Sequence, residues 1–113
     1  MLFSVDEVNG VKIFRLKEDR LDSHIASELK AQLLVLLAND VQSVVVDLTE
    51  TNYVDSSGLG ALLLGIRQAR ENDSKFAVFG ANKRILNLIK IAHLEGVIIN
   101  YNSEKDALKA SRK

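Results

Sequence analysis

The chain has 113 residues, no cysteine, and 15 Lys plus Arg against 15 Asp plus Glu, for a formal net charge of zero at pH 7. That length supports one domain with its own hydrophobic core, and the missing cysteine excludes disulfides, a thiolate nucleophile and cysteine-ligated zinc or iron–sulfur centres. Balanced charge leaves no net positive field to hold nucleic acid or anionic lipid, so no nucleic-acid partner is expected.

Residues 1–8 carry Asp6 and Glu7 and lack a basic region leading into a long apolar run, so they do not read as a signal peptide. No stretch is long and apolar enough to cross a bilayer, which predicts no membrane insertion and a cytoplasmic location. Residues 2–8 and 11–17 are strand-like and flank Asn9-Gly10, the pair best suited to a type I′ turn, and predict an antiparallel hairpin. After a charged loop, Asp22 or Ser23 is placed to cap a helix whose Ala26, Leu29, Leu33, Leu36 and Leu37 recur at helical spacing, with an end near Asn39-Asp40. Val44-Val45-Val46 and Leu48 have little polar alternation, as a short central strand covered on both faces requires.

The next helix is predicted to begin at Ser56 or Ser57 and to turn Leu59, Leu62, Leu63, Ile66 and Ala69 inward, stopping near Asn72-Asp73. Leu64 falls toward its less buried side, as a peripheral core residue or a contact residue. Residues 76–79 form another apolar strand ended by Gly80, and Asn82 caps a helix carrying Ile85, Leu86, Leu88, Ile89 and Ala92, with Gly96 as its terminator. Residues 97–101 read as the last strand, and Ser103 with Asp106 opens a short final helix containing Ala107 and Leu108. The basic residues 109–113 read as a solvated end. The order β-β-α-β-α-β-α-β-α predicts an α/β fold with a mixed, mainly parallel sheet and an N-terminal antiparallel hairpin.

Small polar groups concentrate at Asp55-Ser56-Ser57-Gly58-Leu59-Gly60, where a strand meets a helix N-terminus. Any of Asp55, Ser56 and Ser57 could cap the helix, while Gly58 and Gly60 would allow a sharp turn and close packing of helix on sheet. Enzyme motifs fit poorly. A dinucleotide fingerprint fails at Leu63, a P-loop fails at Gly65-Ile66-Arg67, and a nucleophile elbow lacks glycine two residues before either serine. The histidines, His24 and His93, have no partner at metal-ligand spacing and read as helix-end residues. A phosphate on the exposed serine would add about −1.5 to −2 charges beside Asp55 and burden an interface that had buried a neutral hydroxyl.

Val44-Val-Val-Asp-Leu48 followed by Tyr53-Val-Asp-Ser-Ser-Gly-Leu-Gly-Ala-Leu-Leu63 closely resembles the STAS domain of bacterial anti-sigma factor antagonists. The likeness spans essentially the whole chain and makes residues 1–113 one STAS domain. It takes in Arg20-Leu-Asp-Ser23, Asn82-Lys-Arg-Ile-Leu86 and Leu94-Glu-Gly-Val97, and departs where the family often has glycine and this chain has Asp19. The resemblance implies a switch protein that is not an enzyme and binds no cofactor or metal. Unphosphorylated, it binds an anti-sigma factor with serine kinase activity and frees the sigma factor; phosphorylation at Ser56 breaks the complex, and a serine phosphatase resets it. Asp55, Ser57, Gly58 and Leu59 around Ser56, with Asp22 and Ser23, are the implied partner-binding residues. Two alternatives stay open: a STAS scaffold subunit of another assembly, such as a lipid-transport complex or stressosome, and a small-ligand or nucleotide sensor using the same helix N-terminus.

Overall fold

The computed structural model describes residues 1–38 and 43–112. Strands β1 (Phe3–Val8) and β2 (Val11–Leu16) form the predicted hairpin, pairing from Phe3 opposite Leu16 to Val8 opposite Val11. Asn9 (φ 51°) and Gly10 (φ 83°) both take the left-handed conformation that a type I′ turn demands. The chain continues through β3 (Arg20–Leu21), α1 (Ala26–Leu37), β4 (Ser43–Asp47), β5 (Tyr53–Val54) and α2 (Ser56–Glu71). It closes with β6 (Lys75–Phe79), α3 (Lys83–Ile91), β7 (Asn100–Tyr101) and α4 (Glu104–Ser111).

The main sheet has the order β1-β2-β4-β6-β7, antiparallel at the hairpin and parallel from β2 to β7. All five residues of β4 are buried, as the apolar Val44, Val45 and Val46 at its centre require, with Ser43 and Asp47 as buried polar ends. Its side chains alternate between two cores, as strand geometry dictates. Val44 and Val46 meet Leu29 and Leu33 of α1, Leu62 of α2 and Ile85 of α3 in one cluster, while Val45 joins Ile13, Phe79 and Ala107 of α4 in the other. The sheet is therefore sandwiched, with α1, α2 and α3 on one face and α4 on the other.

Several boundaries differ from the sequence expectation. The strands β3 and β5 pair in parallel as a separate small sheet, Arg20 opposite Tyr53 and Leu21 opposite Val54. Neither Asp22 nor Ser23 caps α1, whose N-cap is Ile25 without a side-chain hydrogen bond. Instead the Asp22 carbonyl accepts the N–H groups of Ile25 and Ala26 at 3.1 and 2.9 Å, so Asp22 shapes the turn before the helix. Gly96 does not end α3: Ala92 is the C-cap, and His93 (φ 60°) takes the left-handed position as Leu94 N–H closes onto the Ile89 carbonyl at 2.9 Å. Val97 and Ile98 then donate back to the Leu94 carbonyl, so this segment turns and β7 is shorter than residues 97–101. The expected stop of α1 at Asn39-Asp40 lies outside the described residues, as does Lys113.

Candidate functional site: the β5–α2 turn

Asp55 settles the competition for the helix cap. Its backbone is extended (φ −103°, ψ −175°), its N–H donates to the Leu21 carbonyl at 3.1 Å, and its carboxylate accepts the Gly58 N–H at 3.0 Å. An aspartate at this position satisfies one orphan amide and places a negative charge at the positive end of the helix. Ser56 and Ser57 are thereby released from capping. Ser56, the first helical residue, is exposed, Ser57 is half-buried, and neither hydroxyl has a hydrogen-bond partner among the described residues.

Gly58 and Leu59 lie beneath this surface. A Cβ on Gly58 would stand 2.5 Å from the Leu21 carbonyl oxygen and 2.8 Å from Val54 Cγ1, so glycine lets α2 seat directly on the small sheet. Leu59 is 4% exposed and belongs to the main core, so a partner would meet the turn that it anchors rather than its side chain. Gly60, expected to allow close packing, has open space where a Cβ would go; the second close approach of α2 is at Gly65, against the Phe76 ring. Leu64 is half-buried.

The parallel pairing of β3 with β5 brings Asp22 and Asp55 to the same end of the small sheet, one residue beyond each strand. The Asp22 carboxylate accepts the His24 N–H at 3.0 Å and, at longer range, Arg20 Nε at 3.4 Å; these contacts, the first above all, hold it below the usual carboxylate range. Ser23 is exposed next to it. The Arg20 guanidinium lies over the Tyr53 ring, 4.1 Å from its centroid, a cation–π contact across the two strands. Asp19, where the family often has glycine, ties the neighbouring loop: its carbonyl accepts the N–H groups of Asn52 and Tyr53, and its carboxylate accepts Asn52 Nδ2 at 2.6 Å. Its backbone is not left-handed, so nothing at this position requires glycine.

Sequence reasoning missed a groove of about 510 Å³ that runs from this turn to α3. Tyr53, Asp55 and Ser56 line one side, and Arg84, Leu88 and Ile91 the other. The signal was present in Lys83-Arg84, two cations in the first turn of a helix, and in Ile91, an apolar residue off the buried stripe of Ile85 and Ile89. No histidine or lysine lines the groove, and its charged groups are Asp55 and Arg84. Among the described residues there is no group of three His, Cys, Asp or Glu fit to hold a metal, and no helix long and apolar enough to cross a membrane.

The sequence profile of the STAS domain matches residues 3–107, and the chain belongs to that family. The anti-sigma-B factor antagonist of Listeria monocytogenes is 31% identical over 84 residues, covering 74% of each chain. Among solved structures, an anti-sigma factor antagonist from Mycobacterium paratuberculosis matches with a TM-score of 0.88 at 21% identity, over 99% of this chain and 94% of that one. The Bacillus cell fate determinant SpoIIAA in its phosphorylated form matches with a TM-score of 0.74 at 18% identity, over 98% of this chain and all of that one.

Proposed function

We propose that this protein is an anti-sigma factor antagonist whose unphosphorylated form binds an anti-sigma factor with serine kinase activity, and that phosphorylation of Ser56 ends the complex. The observation that carries the reading is the exposed, unbonded Ser56 hydroxyl at the start of α2, left free because Asp55 holds the cap. The name of the Listeria relative and the phosphorylated state of SpoIIAA support it.

In the forward reaction, Ser56 Oγ attacks the γ-phosphorus of ATP, loses its proton to a base of the kinase, and expels ADP. A phosphatase returns serine and inorganic phosphate by hydrolysis. The dianion would sit at the positive end of α2, which tolerates it, so its cost falls on the interface. Asp22, Ser23, Asp55, Ser56 and Ser57 form the partner surface, with Gly58 and Leu59 supporting it from below. The protein acts here as a substrate and binding partner and needs no cofactor of its own.

Incubation with ATP and the serine-kinase anti-sigma factor of the same cell is expected to phosphorylate Ser56, read by phosphosite mapping. Ser56→Ala should abolish modification and keep binding, and Ser56→Asp should weaken binding by about tenfold or more. Undiminished modification of Ser56→Ala would reject Ser56 as the acceptor.

A further inference from the structure

The helix α3 carries Lys83, Arg84 and Lys90 and no acidic residue. Lys83 and Arg84 occupy its first turn, where the positive end of the helix dipole disfavours cations. None of the three makes an ion pair among the described residues. The same helix leaves Leu86 39% and Ile91 73% exposed. Lys90, in the last turn, suits the negative end of the dipole, but helix stability accounts for neither Lys83 and Arg84 nor the bare apolar side chains. A partner of complementary character accounts for both, and Arg84 and Ile91 line the groove that also holds Ser56.

We propose that this groove is the docking cleft for the protein partner, that its occupant is an apolar segment bearing a carboxylate, and that Arg84 holds that carboxylate until phosphorylated Ser56 displaces it. The inference rests on the reading of Ser56 as the modified residue. Tyr53, Leu88 and Ile91 offer apolar walls to the segment, and the planar fork of a guanidinium fits a carboxylate or a phosphate with paired hydrogen bonds. The other charged group lining the groove, Asp55, is engaged with the Gly58 N–H and repels a second carboxylate, which directs the incoming acid toward Arg84. Once Ser56 is modified, a covalently held dianion competes for Arg84 at an effective concentration that a separate molecule does not match. The partner's carboxylate then meets two negative groups and no free cation. The switch is a competition inside one groove and needs no rearrangement of the fold.

The test uses the full chain and the same serine-kinase anti-sigma factor. In titration calorimetry, Arg84→Glu is expected to weaken binding of the unphosphorylated protein by about tenfold or more, while Arg84→Lys keeps part of the affinity. Lys105→Glu, the same charge change on α4 across the sheet, is expected to bind like wild type. A second measurement needs no kinase: with phosphoserine installed at position 56 during synthesis, phosphorus NMR at low salt should show the second ionisation at lower pH in wild type than in Arg84→Ala. Equal affinities for Arg84→Glu and wild type, or identical phosphate titrations with and without Arg84, would overturn the inference. A kinase that binds but leaves Ser56 unmodified would instead overturn the assignment of Ser56, and the phosphate titration would still report on Arg84.

Discussion

A methyl group added at position 58 has nowhere to go. It would press on the Leu21 carbonyl oxygen at 2.5 Å, a backbone atom that can move only with the small sheet, whereas at position 60 it would enter open space. Gly58→Ala is therefore expected to destabilise the protein by about 1–3 kcal/mol. Gly60→Ala should stabilise it by about 0.5–1 kcal/mol through helix propensity. Urea unfolding midpoints would check the opposite signs, and a destabilised Gly60→Ala would contradict the packing described. Asp22 makes a second expectation at this scale. Its folded-state pKa lies below the unfolded value, so the unfolded chain takes up the proton first as pH falls. Its contribution is thus complete above about pH 4 and disappears as pH drops through the folded-state value. Asp22→Asn keeps an oxygen for the His24 N–H but loses the charge. A series of unfolding midpoints should show a smaller acid loss in that variant than in wild type.

Among the elements, α4 depends most visibly on one side chain outside its own sequence. Arg15 of β2 donates to Glu104 at the start of α4 (2.7 Å), to Asp47 of β4 (3.0 Å) and to Asp6 of β1 (2.6 Å), binding four elements through one guanidinium. Glu104 and Asp6 raise its pKa further above the ordinary arginine value, so it stays charged wherever the protein is folded. Arg15→Met should cost about 1–2 kcal/mol. Hydrogen exchange should show protection lost in α4 more than in α2; uniform loss would argue against a local clasp. Much of this level was legible beforehand. Asn9-Gly10 announced its turn, the valines of β4 their burial, and Asn82 and Ser103 their caps, which accept the Ile85 and Asp106 N–H groups. The strands β3 and β5 were not legible, because two residues carry no period and their pairing joins segments far apart in the chain. Gly65 was overlooked although it stands one heptad beyond Gly58 on the buried stripe, while Gly60 lies off that stripe.

At the scale of the molecule, the sandwich separates support from exchange with the outside. The clasp at Arg15 and α4 holds the face of the sheet opposite α2 and α3, away from the surface around Ser56. Sequence spacing located the Ser56 turn and left its cap undecided. The groove beside it was out of reach, since its far wall belongs to a helix that begins beyond β6. The seat of that turn is itself a collaboration: Leu21, Val54 and Gly58 meet in it, while Asp19, Asn52 and Asn82 lash the adjoining loops together. A short peptide copied from residues 53–60 would carry every letter of the motif without this platform under it. What an enzyme acting on Ser56 would have to recognise is a place on a folded body, which no linear consensus spells out.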